Sequence, residues 1–390
     1  MIAATNAGVP SPWFDVAVRT VNVVAPRIAL RGGYLSDPGS EPVAYHALST
    51  LMLAEAVTAL GPRASRTARR AVRATLGTLS RIVAPDGAAD YLGRGQGNVW
   101  VPAVTAAAMV AGARRYPADA GRYIAVARLA LARLRALHLT ADRGLLVVPG
   151  ARETTAGLDR YVHTVAYNGL ALWALTLAGE PAPPAPAVTA PAEGRLRVRT
   201  PSPSGLGVIS TGQTWLAVRA VRRGGNRDLR SGFGLLALKT RTADGWRDLL
   251  APRPFAKGAP YTPAPSRSVP GGTRMTTTAS TIRIQGTLGA RPARFGFRAL
   301  PAGAELTVSP VRARERYRLH IFTPAGQGRW GTRHVTVFGA RWRFSAPISV
   351  RRVPGWHAGS VERLDALVVD ARPRTRGRLV IRITGLAAAA

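Results

Sequence analysis

The hydrophobic pattern of this chain changes period once, and that change limits what it can fold into. Up to about residue 180, apolar residues recur at helical spacing, in segments near 43–60, 66–83, 101–116, 119–138 and 161–178. A weaker segment spans 13–30, where Pro26 predicts a kink. After 194 the apolar residues come instead in short β-branched and aromatic runs broken by Gly, Pro and Asn. These include "TWLAVRAV", "FGLLALKT", "TIRIQGTL", "RFGFRAL", "ELTVSPV", "YRLHIFT", "RWRFSA", "ALVVDA" and "RLVIRITG". Between the two lies "PAPPAPAVTAPAEG", residues 181–194, a proline-rich stretch that packs poorly and makes a natural spacer. The expectation is an α+β multidomain chain: a helical-hairpin domain over 1–180, a linker over 181–194, and an antiparallel β-sandwich over 195–390.

Within the helical part, connections rich in Gly, Pro and Asp alternate in character, as stacked hairpins require. A faint repeat supports this, because "AYHALSTLMLAEA" (44–56) aligns with "AYNGLALWALTLA" (166–178). The helix beginning near Trp100 falls between them. Three alternate helices therefore start with aromatic and polar side chains, and in a curved hairpin array such starts gather on one rim.

Charge is distributed unevenly. Residues 1–190 hold 19 Arg and 11 acids, net +8, whereas the remainder holds 35 Lys plus Arg and 9 acids, net +26. Lysine occurs only at 239 and 257, so the excess is arginine. Coding bias in a G+C-rich genome explains part of the arginine but does not remove balancing carboxylates, and a polyanionic partner is expected. Nucleic acid is disfavoured as that partner: the chain shows no helix-turn-helix, zinc finger or stacked-aromatic strand motif.

With no cysteine, disulfides and thiolate metal sites are excluded. Walker, nucleophile-elbow and His-Glu-x-x-His motifs are absent, and the six histidines show no metal-ligand spacing. No cofactor or metal is implied. The first residues, "MIAATNAGVPSPWF", lack a basic n-region and a long apolar run, so they do not read as a signal peptide, and no segment reads as a membrane span.

Three constellations carry possible chemistry. In "RYVHTVAYNGLAL", His163 and Tyr167 lie four apart on one helix face, with Tyr161 and Asn168 beside them. An imidazole and a phenol on one face make a base and acid pair, or else a turn that caps and docks the helix. In "DYLGRGQGNVW", three glycines display Arg94 and Gln96, with Tyr91 before and Asn98 and Trp100 after. Arg94 suits bidentate capture of a carboxylate or sulfate, the amides suit hydrogen bonding, and Trp100 suits stacking, unless the loop is simply a turn. In "AYHALS", Tyr45 and His46, with Tyr34 in the preceding loop, either line the same rim or satisfy a helix terminus. A glycosidase reading would rest instead on Asp90, Glu153 and Asp159.

The order of helical hairpins then β-sandwich resembles the α/α-toroid polysaccharide lyases, which include the hyaluronate and chondroitin lyases and the heparinase II/III-like proteins. "VHTVAYNGLAL" resembles the lyase segment that bears a catalytic histidine, and "GRGQGNVWVPA" resembles a substrate-cleft loop. The resemblance implies β-elimination on a uronic-acid polysaccharide at an extracellular or cell-envelope location. It gives His163 as base, Tyr167 as acid or second base, and Asn98 with Arg94 as neutralisers of the uronate carboxylate. Tyr45, His46, Tyr91, Gln96, Trp100, Tyr161 and Asn168 would contact substrate. About six helices are fewer than a closed toroid needs, so the toroid is expected to be incomplete. A non-catalytic binder of acidic glycan or another polyanion and an α/α-toroid glycoside hydrolase stand as the alternative functions.

Overall fold

The computed structural model describes residues 14–29, 33–35, 42–141, 144–145, 164–179, 197–199, 205–220, 232–251, 261–265, 270–357 and 363–386. These fall into two compact units. One contains the helices; the other contains the strands from 197 onward together with the loop segment Tyr91–Gln96.

The helical unit has six helical segments among the described residues: α1 (14–28), α2 (Val43–Leu60), α3 (Arg66–Ile82), α4 (Trp100–Arg115), α5 (Ala120–His138) and α6 (Thr164–Ala178). The first is irregular at the place the sequence predicts. Pro26 has no N–H to give the preceding turn, and the chain widens into a π turn at Thr20–Val24 just before it. Asn22 in that turn bonds across to the start of α3, its amide donating to the Arg63 carbonyl (3.0 Å) and its oxygen accepting from the Ser65 N–H (2.7 Å). Ser65 in turn caps α3 by accepting from the Ala68 N–H at 3.1 Å. Ser65→Ala is expected to cost about 1 kcal/mol, measured by urea denaturation of the helical signal.

Helix α4 is the centre of this unit, packing against α2, α3, α5 and α6. Its sequence, "WVPAVTAAAMVAGARR", explains why: alanines and a glycine let four neighbours approach, and nearly every position is buried. At Gly112 even a methyl group would press on Leu76 and Tyr123. Helix α2, extended by the turn Gly61–Arg63, is long and apolar enough to cross a membrane, a feature the sequence reading did not register. More than half of it is buried inside the helical unit.

The second unit contains β1 (Arg197–Arg199), β2 (Leu206–Thr211), β3 (Thr214–Arg219), β4 (Gly234–Thr242), β5 (Gly245–Asp248), β6 (Ala264–Pro265), β7 (Pro270–Thr277), β8 (Thr281–Leu288) and β9 (Arg291–Leu300). It continues with β10 (Gly303–Val311), β11 (Tyr317–Pro324), β12 (Arg329–Trp330), β13 (His334–Val337), β14 (Ala340–Phe344), β15 (Ile348–His357), β16 (Arg363–Ala371) and β17 (Gly377–Gly385). They form three sheets, ordered β1-β2-β3-β4-β5, β12-β13-β14-β17-β10-β9-β8-β7 and β15-β16-β11-β6. All the described pairings are antiparallel.

Period-2 alternation sets one face of strands such as β8, β9, β14 and β17 towards a common core, while β3 and most of β4 are buried on both faces. Leu216 and Leu235 reach it from the first sheet, Phe295, Phe297, Trp342 and Ile381 from the second, and Leu319, Ile321 and Val369 from the third. Tyr261 stacks on Trp342 at 5.9 Å and donates its hydroxyl hydrogen to the Ala251 carbonyl, so its polar end is satisfied inside the core.

In "RWRF" the buried Trp342 and Phe344 alternate with Arg341 and Arg343, of which Arg343 is exposed and Arg341 half-buried. Other basic groups have partners. Lys239 is buried against Asp248 at 2.6 Å, Arg318 is bidentate to Asp370, and Arg352 meets the buried Asp365 at 2.6 Å.

Candidate functional site

The first turns of α2, α4 and α6 meet inside the helical unit, as the repeat in the sequence suggests. The Trp100 ring lies edge-on to Tyr45 at 5.5 Å and tilted against Tyr167 at 6.2 Å. Trp100 is only 2% exposed, whereas Tyr45 and Tyr167 are half-buried, so the indole is the inner member and the two phenols are the outer ones. Asn98 is buried just before α4, where its carbonyl accepts the Val101 N–H at 3.1 Å. Asn168, next to Tyr167, is half-buried and its amide donates to the Leu145 carbonyl at 3.4 Å. An aromatic cluster with two phenols is thus assembled from three helix starts that are far apart in sequence, with Asn98 and Asn168 close by in the chain.

His46 follows Tyr45 in the first turn of α2. It is 1% exposed, stacks on Tyr34 with ring centroids 4.5 Å apart, and accepts the Leu35 N–H on Nδ1 at 3.1 Å. Burial lowers its pKa to about 3, against a weaker opposing effect from the Thr75 backbone, so the imidazole is neutral. It packs the loop before α2 against that helix. His163 and Tyr161 lie outside the described residues.

The glycine loop is shaped by its backbone. Gly93, Gly95 and Gly97 all take positive φ, at 76°, 93° and 69°, a conformation that penalises any residue with a Cβ. Gly95→Ala is therefore expected to cost about 1 kcal/mol or more, read by thermal denaturation. Asp90, at the loop's start, accepts the Gly97 N–H at 2.7 Å and lies 3.6 Å from Arg133. Arg133 also meets Asp86 at 2.7 Å, whose other oxygen accepts the Ala88 N–H. This clasp on a helix more than forty residues away was not anticipated from the sequence, because nothing in "LARLRALH" marks Arg133 as a partner of the loop.

The carboxylate of Asp90 is engaged in that clasp; Glu153 and Asp159, the other acids of the glycosidase reading, lie outside the described residues. Within the second unit, Tyr91 meets Trp215 edge-on at 5.1 Å, Arg94 is half-buried, and Gln96 is buried with its amide turned back towards the Gly93 carbonyl.

No protein-family model and no curated protein sequence matches the chain. Among solved structures, heparinase III is similar over 97% of this chain, with a TM-score of 0.55 and 8% identity. The chain spans 58% of the length of that structure. A chondroitin AC lyase from Streptomyces coelicolor A3, solved with chondroitin sulphate, covers 97% of this chain and is itself covered over 80%, at a TM-score of 0.35 and 11% identity. At such identities the heparinase III likeness is one of fold alone. It establishes a polysaccharide-lyase-like fold of helices followed by a sheet-rich region.

Proposed function

We propose that this protein is a polysaccharide lyase that cleaves an acidic, uronic-acid-containing polysaccharide by β-elimination. The observation that carries the reading is the junction of Tyr45, Trp100 and Tyr167 at three helix starts, on a fold shared with heparinase III. On this reading the helices form an incomplete α/α toroid over 1–180. Residues 181–194 are its linker, and 195–390 form a β-sandwich.

The chemistry requires three jobs. The uronate C6 carboxylate must be neutralised so that the proton on C5 becomes acidic; Asn98 and Arg94, four residues apart in the chain, are assigned to it. A base must remove that proton, and His163 is assigned as base. A phenol must protonate the departing glycosidic oxygen, and Tyr167 is assigned as acid. Electron pairs move from the C5–H bond into a C4–C5 double bond, and the C4–O bond breaks with its electrons on the leaving oxygen. Tyr45 supplies the apolar surface along which sugar rings stack, backed by the buried Trp100, with Tyr161, Asn168, Tyr91 and Gln96 as further contacts; His46, buried at 1% exposure, does not reach the sugar.

The test is the ultraviolet absorbance of the unsaturated uronate end during incubation with a panel of uronate polysaccharides. A rise that scales with enzyme concentration is expected, and a flat trace across the panel overturns the reading. A non-catalytic binder is the second reading, favoured by the outward arginines of the eight-stranded sheet. It predicts the flat trace together with retained, salt-sensitive binding.

A further inference from the structure

The eight-stranded sheet has two unlike faces. Its inner face is apolar, with Ile284, Phe295, Leu306 and Ile381 buried. Strand register puts Arg343, Arg382, Glu305 and Arg298 side by side in a row across β14, β17, β10 and β9 on the opposite face. Glu305 meets both Arg298 (3.1 Å) and Arg382 (2.8 Å), so that row is partly neutralised internally.

A second row, four residues along β9 and β10, has no such acid. It runs Arg274, Gln285, Arg294, Ser309 across β7 to β10. This row opens into a groove of about 1100 Å³. Its lining includes Arg291, Arg294, Arg312 and Arg376, with no Asp or Glu among the lining residues.

The four guanidiniums arrive from three different stretches of chain. Arg291 is held by Glu315 at 2.6 Å, and Glu315 is fixed in turn by the buried Tyr317 hydroxyl. Arg294, Arg312 and Arg376 are exposed and make no salt bridge within 4 Å among the described residues, although Glu315 also attracts Arg312 at longer range. The ladders break where the groove lies, with register shifts between Val308 and Val311 in β10 and between Gly272 and Arg274 in β7. Bulges of this kind re-aim side chains and end strand pairing, and here they open the space between strand ends.

We propose that this groove is an anion-binding subsite of the β unit that takes the sulfate or carboxylate groups of an acidic oligosaccharide. Planar guanidinium forks bind both groups bidentately, while Gln285, Ser309 and Thr273 offer amide and hydroxyl partners to ring hydroxyls. The volume exceeds that of a typical small-molecule pocket and accommodates several sugar rings. No aromatic ring lines it, which argues against single-stranded nucleic acid, whose bases need stacking partners. The choice of a glycan rests on the proposed function; the anion site does not.

The test uses the full chain and two fluorescently labelled uronate-containing tetrasaccharides, one sulfated and one unsulfated, with a single-stranded oligonucleotide as competitor. Simultaneous Arg294→Ala, Arg312→Ala and Arg376→Ala changes are expected to weaken binding about 30-fold or more. They should also flatten the dependence of log affinity on log salt by about two to three units. The Arg343→Ala and Arg382→Ala control, of similar exposure but outside the groove, should weaken binding less than about threefold. Preference for one tetrasaccharide identifies sulfate or carboxylate as the group bound.

Equal losses in both variants, no loss in the groove variant, or an oligonucleotide that displaces the sugar and loses affinity in parallel each overturn the proposal. Thermal denaturation checks that the variants fold. If binding is lost in the groove variant while no polysaccharide yields an unsaturated uronate, the subsite stands and the lyase reading falls.

Discussion

Tyr167→Phe is expected to slow elimination by about 10²–10⁴-fold, the usual contribution of a positioned general acid, while leaving the helical unit folded. The two halves of this expectation have separate causes. The ring of Tyr167 is half-buried and meets Trp100 at 6.2 Å, a contact that phenylalanine keeps, so the packing at the start of α6 is preserved. Only the hydroxyl is lost, and with it, on the proposed mechanism, the proton for the leaving oxygen. The barrier should rise by about 3–5 kcal/mol, appearing in kcat rather than in KM.

His163→Ala should give a loss of similar size, and the double variant should lose little more than either single one, because acid and base serve one transition state. Trp100→Ala would behave differently. It removes a buried ring from the junction, so stability and KM suffer along with kcat. Initial rates of uronate absorbance separate these patterns, and a Tyr167→Phe enzyme with unaltered kcat would remove the phenol from the mechanism.

How much of this was legible beforehand depends on whether a feature is local. Helix α2 was readable to the residue, as 43–60, because its apolar run ends on the Gly61-Pro62 stop, and α3 followed from its Ser65 start. Strands such as β9, with Phe295 and Phe297 alternating against Arg294 and Arg298, announced both their period and their faces.

Strands β2 and β7 did not announce themselves. In "LGVIST" and "PGGTRMTT", glycine, proline and threonine read as loop. Each is a strand for a reason outside its own sequence: Gly207 of β2 is pressed on by Met275 of β7, and β7 is an edge strand, where proline and glycine are tolerated.

The meeting of Tyr45, Trp100 and Tyr167 was foreshadowed by the repeat that aligned α2 with α6. The Arg133 clasp on Asp90 and the contact of Tyr91 with Trp215 were not, since each joins segments whose sequences carry no mutual signal. The arginine groove was illegible for the same reason. Composition gave the charge of the C-terminal half, but only strand order brings Arg294, Arg312 and Arg376 together.

The largest pH effect should come from His46. A histidine whose folded-state pKa lies below its unfolded value adds stability that is complete above the unfolded pKa and is lost as pH falls towards the folded one. For His46 those limits are 6.5 and about 3. Full protonation would cost on the order of 5 kcal/mol, and about 3 kcal/mol should already be gone by pH 4.5.

Most of the carboxylates with shifted pKa act lower on the scale. Burial tends to raise Glu305, Glu315 and Asp365, but hydrogen bonds hold each below its ordinary value: from Arg382 and Arg298 to Glu305, from the Tyr317 hydroxyl and Arg291 to Glu315, and from the Gly326 N–H and Arg352 to Asp365. Their contribution is therefore lost only at more acid pH. Glu55, raised by burial, acts in the opposite sense, and His320, lowered by burial and by Arg318, belongs to the second unit.

His46→Gln isolates the effect, because its amide oxygen still accepts the Leu35 N–H but does not titrate in this range. The variant loses the stack on Tyr34 and should be about 1–2 kcal/mol less stable at pH 7.5. Because wild type then weakens faster on acidification, the two stability curves should cross near pH 5 when urea unfolding is followed by the helical circular dichroism signal. Curves that stay parallel from pH 7.5 to pH 4.5 would mean that His46 is protonated as easily in the folded helical unit as in the unfolded chain.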